Sequence, residues 1–356
     1  MLQYVVETEK IAQNIRLLFA RVDGGRLYAV LKANGYGLGC REMAALCSAN
    51  GIRHFAVTDL KSAQAVRSAN VVVEELLMLS SAALDEIPQL VQLGVTFLVA
   101  SQQDAENLAD YAVSAHVKVD TGMGRRGFYY TDVAAIRALY TDFPNIRFTG
   151  ICTHFADGSN EKRTKLQFSR FSHVLDHLQR AGIQVGVRHC CSSTSVFLHE
   201  QMLLDGVRIG SALLGRIPDG ARFGLQPTGM CYAPIESVRA LPKGATISYG
   251  SCFRTPRPMR IAVCPVGTHY GFGLSNQNGV QDLRSEMLEC LRRLRNRLTG
   301  RSIPYALVDG KPCKVLGCIC TEMTLLDVTD APCHAGQLVQ FPINPMLLND
   351  VPVVFR

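Results

Sequence analysis

Short apolar runs alternate with helical stretches from about residue 7 to residue 215, and this alternation constrains the fold more than any other feature of the sequence. The runs lie at residues 27–31, 54–57, 76–79, 96–99, 116–119, 148–152, 185–187 and 206–208. Stretches with helical period, such as 83–93 and 164–181, lie between them. A strand followed by a helix, repeated about eight times over roughly two hundred residues, predicts an α/β fold, a (β/α)8 barrel of the TIM type.

After about residue 222 the pattern of residue types changes. Pro, Gly and β-branched runs, such as 260–266 and 337–341, replace the alternation and predict a mainly β domain. A chain of 356 residues is long enough for one large domain and a smaller one. We therefore expect the barrel at residues 7–220 and the β domain at residues 221–356, the latter together with residues 1–6.

The composition, with 47% apolar and 19% charged residues, is that of an ordinary globular protein. No apolar run reaches the roughly 18 residues of a membrane span. The first ten residues lack the basic and then apolar order of a secretion signal. These features predict a cytoplasmic protein with no membrane partner. The net charge of +7 fits an anionic cofactor or substrate as easily as nucleic acid.

Thirteen cysteines are many, but nothing in the sequence indicates an exported disulfide framework, so we expect reduced thiols. The metal-like clusters are Cys318-x-Cys320 with nearby Cys313, and the run 189–191. Neither has the two spaced pairs of a structural zinc site, so we expect no metal and thiols that fill volume.

The segment 281–298 has the period of an amphipathic helix. One side carries Leu283, Met287, Leu288, Leu291, Leu294 and Leu298. The other carries Arg292, Arg293, Arg295 and Arg297. This pattern favours a surface helix packed by its leucines. No aromatic residues accompany the arginines, which argues against a nucleic-acid or membrane partner.

Barrel enzymes carry their chemistry at the C-terminal ends of the strands and on the loops that follow. In this sequence those positions hold two lysines, two arginines and two histidines. They are Lys32, Lys118, Arg125, His154, His189 and Arg208. Such a convergence of polar groups on one rim predicts a functional site.

Lys32 ends the first apolar run. A lysine that emerges from a packed strand is partly desolvated, which frees its amine for Schiff-base chemistry. Taken alone, it fits a surface lysine with a buried stem at least as well. The glycines at 35, 37 and 39, with Asp59 about twenty residues on, leave a dinucleotide-binding loop open, although the spacing is wrong for the full fingerprint.

The stretch Lys-Ala-Asn-Gly-Tyr-Gly at residues 32–37 resembles the pyridoxal-phosphate (PLP) lysine motif of the alanine racemase family. Further motifs of that family follow in order: Lys118 to Arg125, Thr153-His-Phe155, His189 to Ser193, Arg208-x-Gly210, Ser248-Tyr-Gly250 and Ile319 to Glu322. Together they span nearly the whole chain. The resemblance implies a fold-type III PLP enzyme, a barrel followed by a β domain, that racemises a small amino acid as a homodimer.

The resemblance also implies the catalytic roles. Lys32 would hold PLP and act as the base on one face of the substrate. Tyr249, from the other subunit, would be the base on the opposite face. A phenol is a poor base at neutral pH. Tyr249 would be helped by His154, which belongs to a hydrogen-bonded chain through Arg208 to His189.

Arg208 would also donate to the pyridine nitrogen of PLP, which makes the ring a weaker electron sink and favours racemisation over transamination. Hydroxyl and backbone N–H groups would bind the cofactor, mainly at its phosphate. The cofactor-binding residues are Tyr36, Ser192, Ser193, Gly210, Ser211 and Asn349. Arg125 would bind the substrate carboxylate, and Thr321 would contribute its backbone N–H. Lys118, carbamylated in some relatives, would orient Arg125.

Several departures from the family pattern gather around the route to the active site. Thr268 stands where the family has a tyrosine that narrows the inner entrance, and Tyr270 replaces an acidic residue. Cys318 stands where an arginine is usual, Thr321 replaces a methionine, and Ser192 replaces an asparagine. The segment 281–298 falls where relatives have a short turn. It suggests a helix that rebuilds this corridor.

Asn349 stands where the family usually has a tyrosine beside the phosphate and the substrate side chain. A shorter amide enlarges the pocket and adds hydrogen-bonding groups, which can favour a hydroxyl-bearing substrate. Alanine is the first expected substrate because most of the family uses it. Serine is the second, and a larger amino acid admitted by the altered corridor is the third. A non-catalytic PLP-binding barrel protein is an alternative of another class, against which Tyr249 argues. A dinucleotide-dependent reductase is a third class and would form no lysine adduct with PLP.

Overall fold

The computed structural model describes residues 1–275, 282–298 and 304–356. The chain forms two compact units. The barrel unit is Thr8–Thr228, and the β unit is Met1–Glu7 together with Gly229–Arg356. Within the described ranges, no helix has both the length and the apolar composition that crossing a membrane would require.

Strand β1 (Gln3–Val6) begins the chain and belongs to the β unit. The barrel unit contains the parallel strands β2 (Arg26–Val30), β3 (His54–Val57), β4 (Glu75–Met78), β5 (Phe97–Val99), β6 (Val113–Asp120), β7 (Phe128–Tyr129), β8 (Ile146–Cys152), β9 (Val187–Ser192) and β10 (Gly206–Ile209). Eight of them follow the order β4-β3-β2-β10-β9-β8-β6-β5, and β7 pairs with β6 outside this path. A parallel bridge between Leu77 and Thr96 joins the two ends, so the predicted barrel is confirmed.

The helices of the barrel unit are α1 (Thr8–Val22), α2 (Lys32–Tyr36), α3 (Cys40–Ala49), α4 (Leu60–Ser68), α5 (Ile87–Gln92), α6 (Gln102–Leu108), α7 (Val133–Asp142), α8 (Glu161–Arg180) and α9 (Ser195–Leu198). Polar side chains satisfy free N–H groups where several of them begin. Asp59 accepts from the N–H of Ser62 at the start of α4, and Asn160 from that of Arg163 at the start of α8. Such caps explain why these helices begin where they do.

Each of the eight apolar runs overlaps a strand, but the run at 185–187 differs most from its strand. Strand β9 begins only at Val187 and continues to Ser192. Gly186 has a φ of 70°, which a strand residue does not adopt, so the strand starts after it. As a consequence, His189 lies inside the barrel wall rather than on the following loop.

The remaining strands of the β unit are β11 (Gly229–Pro234), β12 (Ser237–Leu241), β13 (Thr246–Ile247), β14 (Phe253–Arg254), β15 (Met259–Cys264), β16 (Tyr305–Val308), β17 (Lys311–Lys314), β18 (Thr324–Asp327), β19 (Leu338–Phe341) and β20 (Val353–Phe355). They form a six-stranded sheet in the order β17-β16-β19-β11-β1-β20, a three-stranded sheet β12-β15-β18 and the pair β13-β14. Ile247, Met259, Ile261 and Leu316 pack together as a core cluster. This part of the chain is mainly β, as the sequence predicts.

Helix α10 (Leu283–Leu298) confirms the amphipathic helix of the β unit, but its environment differs from the expectation. Its described apolar side chains are largely exposed, from 55% at Leu288 to 77% at Leu283. The expectation that its leucines pack against the protein is therefore wrong for the single chain, in which these side chains remain open to solvent. Gln281 and the side chains of Arg297 and Leu298 lie outside the described part.

Candidate active site

A cavity of about 580 Å³ opens at the C-terminal ends of the barrel strands. Among its lining are ten of the residues that the sequence predicts for the site. They are Lys32, Tyr36, Lys118, Arg125, His154, Ser192, Ser193, Arg208, Gly210 and Ser211. Arg126 adds a further cation, and no described lining residue carries a carboxylate. The cavity is therefore cationic and suits an anionic ligand.

Lys32 is positioned by a left-handed turn that directly follows β2. Ala33 and Asn34 have φ angles of 50° and 53°, which non-glycine residues rarely adopt. The side-chain oxygen of Asn34 accepts from the backbone N–H of Cys40 at 3.1 Å, which holds the turn. A Cβ on Gly35 would lie 3.1 Å from the backbone of Cys40, so this position needs glycine. The local backbone geometry of residues 32–37 thus fixes the position of Lys32 at the end of the strand.

An anion cradle is formed where β10 ends. The hydroxyl oxygen of Ser193 accepts from the N–H groups of Gly210 at 3.0 Å and Ala212 at 3.2 Å. A Cβ on Gly210 would lie only 1.9 Å from the hydroxyl oxygen of Tyr36, so only glycine allows the phenol to approach. Burial raises the pKa of Tyr36 to about 12, so its hydroxyl stays a donor at neutral pH. Ser193 and Tyr36 each keep a hydroxyl proton to donate, and hydroxyl donors of this kind suit a phosphate.

Arg208, in β10, is the centre of a buried hydrogen-bond network. Its Nη2 donates to the carbonyl oxygen of Thr153 at 2.6 Å and approaches Nδ1 of His154 at 3.3 Å. Its Nη1 donates to the carbonyl oxygen of His189 at 3.1 Å and to Nδ1 of the same residue. The structure therefore brings together the arginine and two histidines that the sequence predicts to form a chain.

The hydrogen-bond network of Arg208 continues to the N-terminal end of the barrel strands, the floor of the barrel. An arginine can only donate, so Nδ1 of His189 is an acceptor and Nε2 carries the proton. Nε2 of His189 lies 2.9 Å from Nδ1 of His116, which must therefore accept. The remaining proton of His116, on Nε2, faces Oε1 of Glu75 at 3.0 Å. One line of polar side chains thus runs from His154 at the rim to Glu75 at the opposite end.

Sequence reasoning missed His116 and Glu75. His116 precedes Lys118 by two residues in β6, and side chains at that spacing share a face of a strand. Because Lys118 points into the barrel, the alternation could have placed His116 there as well. Glu75 begins β4 and offers no comparable signal, since acidic residues at strand ends are usually solvated.

Glu75 is the anionic end of the network. Burial alone would raise the pKa of its carboxyl group, but contact with His116, the hydrogen bond from Tyr28 and the charge of Arg26 outweigh burial and lower it. The hydroxyl of Tyr28 donates at 2.6 Å, and Nη1 of Arg26 lies 3.2 Å away. Glu75 therefore stays ionised and stands opposite the charge of Arg208, with the imidazoles of His189 and His116 between them.

The two histidines that contact Arg208 are held in the neutral form. Burial lowers the pKa of His154 and of His189 well below the usual value, and the positive charge of Arg208 lowers both further. A neutral His154 that accepts on Nδ1 carries its proton on Nε2. It can therefore donate a hydrogen bond to an oxygen placed beside it.

Lys118 is buried in β6. Burial, followed by the charges of Arg208 and Arg125, lowers the pKa of its amine to about 8. A sizeable fraction of neutral amine is therefore present near physiological pH. A neutral amine is the form that reacts with carbon dioxide.

Asp120 organises the loop that leads to Arg125 and was also missed in the sequence. Its carboxylate accepts from the N–H groups of Gly122 and Met123 at 2.8 Å and of Gly124 at 3.0 Å. Three N–H donors on one carboxylate form a compact turn. The signal was the position of Asp120 at the end of β6, immediately before a glycine-rich loop.

The site residues predicted for the β domain lie in the β unit and do not line the barrel cavity. Tyr249 is 79% exposed and follows Ser248, whose φ is 67°. The carbonyl oxygen of Thr321 accepts from the N–H of His269 at 2.8 Å. Asn349 is exposed, and its Nδ2 lies 3.4 Å from both ring nitrogens of His269.

A lysine amine and an anion cradle share one cationic cavity at the rim of a (β/α)8 barrel. Fold and site together define a barrel enzyme with room for a phosphorylated cofactor beside an amine nucleophile. A mainly β second unit follows this barrel in the chain.

Comparison with known proteins identifies the family. The family model of the alanine racemase N-terminal domain matches residues 6–218, and that of the C-terminal domain matches residues 230–342. The chain is 32% identical over 343 residues to the alanine racemase of Desulforamulus reducens, with 91% of this chain and 84% of that protein covered. It is 31% identical over 319 residues to that of Methanococcus maripaludis, with 85% and 78% covered.

A solved structure shows the same fold. The alanine racemase of Bartonella henselae with covalently bound pyridoxal phosphate matches with a TM-score of 0.81 at 21% identity, over 100% of this chain and 99% of that chain. The chain thus belongs to the alanine racemase family, whose members are PLP-dependent amino-acid racemases.

Proposed function

We propose that this protein is a PLP-dependent racemase that interconverts L-alanine and D-alanine in the cytoplasm. It acts as a homodimer in which each site combines one barrel with the β unit of the partner. The observation that carries the proposal is the hydrogen-bonded chain of His154, Arg208 and His189 beside Lys32 in a cationic cavity. The names of relatives above 30% identity point to alanine as the substrate.

The residues present fit PLP. Ser193 accepts from the N–H groups of Gly210 and Ala212 and keeps its own hydroxyl proton to donate, and the hydroxyl of Tyr36 reaches the same place. Ser192 and Ser211 line the same cavity. Asn349 would join them from the β unit. Lys32 would hold the cofactor covalently, which the bound PLP of the Bartonella relative supports.

When bound, PLP supplies an electron-withdrawing ring that stabilises negative charge at the substrate Cα. The amine of Lys32 removes or returns the Cα proton on one face. The hydroxyl of the partner subunit's Tyr249 does the same on the opposite face. Removal from one face and return from the other inverts the configuration, so two bases of this kind make a racemase.

The protein must help a phenol to act as a base, since phenols hold their proton at neutral pH. His154 supplies this help because its Nε2 proton can be donated to the oxygen of the partner subunit's Tyr249. Arg208 fixes the orientation of His154 through Nδ1 and keeps the imidazole neutral by its charge. The phenolate is therefore stabilised without an ionised neighbour that could compete for the Cα proton.

Arg208 also favours racemisation over side reactions. Beside bound PLP, the cation of Arg208 would keep the pyridine nitrogen unprotonated and limit how much negative charge the ring withdraws. No described residue that lines the cavity carries a carboxylate that could protonate this nitrogen. The chemistry supplied by the cofactor would then favour return of the proton to Cα.

The substrate carboxylate would be bound by Arg125 and by the N–H of Thr321. We propose that Lys118 carries a carbamate that orients Arg125, because burial leaves part of its amine neutral and reactive. Protein equilibrated with isotopically labelled carbon dioxide is expected to show one protein carbamate by NMR, and Lys118→Ala is expected to lack it. A bare amine at Lys118 under saturating carbon dioxide would contradict this.

The test is racemisation of L-alanine and L-serine side by side with PLP-saturated protein and its Tyr249→Phe variant, followed by chiral chromatography. Alanine is expected to turn over faster than serine, and the substitution is expected to abolish turnover of both. Faster turnover of serine than of alanine would instead identify the protein as a serine racemase. PLP bound to Lys32, seen as a visible absorbance band, without turnover of either amino acid would overturn it in favour of a non-catalytic PLP carrier or another substrate.

A further inference from the structure

Two exposed cysteines of the β unit lie in direct contact although they are far apart in the sequence. The Sγ atoms of Cys252 and Cys318 are 3.3 Å apart. The sulfur of a third, partly buried thiol, that of Cys320, lies 3.8 Å from the carbonyl oxygen of Cys318. A disulfide requires a sulfur–sulfur distance of about 2.05 Å, so a shift of little more than an ångström would join Cys252 to Cys318.

Most of the other cysteines are buried and have no access to an oxidant in solution. Cys40, Cys47, Cys152, Cys190, Cys191, Cys231, Cys264 and Cys313 are buried. Buried thiols in apolar surroundings are inert toward oxidants in solution. Cys190 and Cys191 both contact the carbonyl oxygen of Met202, but they are sealed inside the barrel unit. Exposure and mutual contact coincide at Cys252 and Cys318.

The two thiols flank residues that the proposed function uses. Cys252 follows Tyr249 by three residues, and Cys318 precedes Thr321 by three residues. The hydroxyl of Ser248 joins the two segments, since it accepts from the N–H of Cys318 at 3.2 Å and lies 3.4 Å from its carbonyl oxygen. A covalent bond between the thiols would therefore act on the segment that presents Tyr249.

The segment that carries Tyr249 has an unusual backbone. Ser248 and Ser251 have φ angles of 67° and 49°, in the left-handed region that serine rarely adopts. A Cβ on Gly317 would lie 2.6 Å from Cβ of Ser248, so the two segments already approach as closely as glycine allows. A bond that draws Cys252 toward Cys318 therefore acts on a tightly packed turn that includes Tyr249.

We propose that Cys252 and Cys318 form a reversible disulfide that inactivates the racemase by displacing Tyr249. Its effect on activity rests on the proposed function, whereas the disulfide itself does not. In a reducing compartment both residues are thiols and the enzyme is active. A peroxide converts the pair to the disulfide, and a dithiol reverses it.

The chemistry balances with one hydrogen peroxide for each pair. One thiolate attacks the peroxide, the oxygen–oxygen bond breaks, and a sulfenic acid and hydroxide form. The second thiol then attacks that sulfur, the sulfur–oxygen bond breaks, and water leaves. Two thiols are oxidised to one disulfide, and one peroxide is reduced to two waters. A dithiol reductant reverses the oxidation by thiol–disulfide exchange.

The test uses the reduced, PLP-saturated protein treated with hydrogen peroxide and then alkylated. Peptide mapping without reduction is expected to show a bond between Cys252 and Cys318. Racemase activity is expected to fall at least tenfold in parallel with this bond and to return with dithiothreitol, because a displacement of about 1 Å can cost a hundredfold in rate. Cys252→Ser and Cys318→Ser are expected to keep the basal activity and resist peroxide. Cys290→Ser, which removes another exposed thiol, is expected to respond as the wild type does.

The experiment tests the disulfide pairing, its effect on activity and the proposed function separately. A bond from Cys318 to Cys320, a bond between subunits through Cys290, or no bond under peroxide would overturn the pairing. A mapped bond between Cys252 and Cys318 with unchanged activity would overturn the switch. Absence of racemase activity in the reduced protein would instead count against the proposed function, and the mapping would still decide the pairing.

Discussion

The candidate site residues of the barrel unit and those of the β unit are held in opposite ways. Arg208 and His189 are buried and joined to each other, and the network reaches Glu75 at the far end of the barrel. Tyr249, by contrast, is 79% exposed on a loop with unfavourable backbone angles. The barrel residues are thus held in place by one another, whereas Tyr249 of the β unit lies on an exposed surface. This difference supports the proposed homodimer.

The largest expected effect comes from mixing two inactive variants. Lys32→Ala and Tyr249→Phe are each expected to lose at least about a thousandfold in racemase activity, because each lacks one of the two proposed bases. If each site takes its lysine from one subunit and its tyrosine from the other, a mixed dimer contains one intact site. Random remixing is then expected to restore about a quarter of the wild-type activity.

Recovery of activity on mixing would show that a site takes its barrel residues and its β-unit residues from different subunits. The control is the double variant remixed with itself, which contains no intact site and is expected to stay inactive. No recovery on mixing, with subunit exchange verified by mass, would place both bases in one subunit.

The second effect concerns the loop before Arg125. Asp120→Ala removes a carboxylate that accepts three N–H groups, so the loop loses its anchor. We expect KM for alanine to rise about tenfold with a smaller change in kcat, because Arg125 would be less well placed for binding. Asp132→Ala, which removes another acidic residue of the same unit, is expected to leave KM unchanged. An equal loss in kcat would assign Asp120 a role in the chemistry itself.

A smaller effect tests the floor of the barrel. Glu75→Gln weakens the hydrogen bond from Tyr28 and removes the charge that faces His116 at 3.0 Å and stands opposite Arg208, so we expect a loss of about 2 kcal/mol in the free energy of unfolding. Its neighbour Glu74 is exposed and pairs with His54 at 3.5 Å, so Glu74→Gln is expected to change stability by less than about 1 kcal/mol. Urea titration measures both. Equal effects would show that the floor network adds nothing to stability.

The smallest effect is the response of the two units to acid. The pKa values of His154 and His189 are depressed in the folded barrel, so the unfolded chain binds more protons once the pH falls below about 6.5. The stability of the barrel is therefore complete above that pH and falls as the pH is lowered. Hydrogen exchange compared at pH 7.5 and 5.5, after correction for intrinsic rates, is expected to show barrel strands losing protection before the β unit. Simultaneous loss in both units would contradict this.

Much of the fold could be predicted because its signals are local. A strand of a parallel barrel is covered on both faces, so it appears in the sequence as a short apolar run, and all eight runs overlap strands. The start of β9 was missed because Gly186, whose φ is 70°, interrupts a run that looked continuous, so the strand begins only at Val187. The environment of α10 was also missed, because periodicity identifies an apolar face without naming what covers it.

By itself, the sequence determined the barrel, the β region and the rim residues from Lys32 to Arg208, because strand ends and turn motifs are set within a few residues. Only the tertiary structure decided that Glu75 faces His116 and that Cys252 touches Cys318. These contacts join positions 41 and 66 residues apart. For Glu75 and His116, the alternation of a strand specifies the face on which a side chain lies, but the partner on that face depends on strand order and register, which arise only when the sheet closes. Cys252 and Cys318 lie outside the strands, and only the folding of the β unit brings them together.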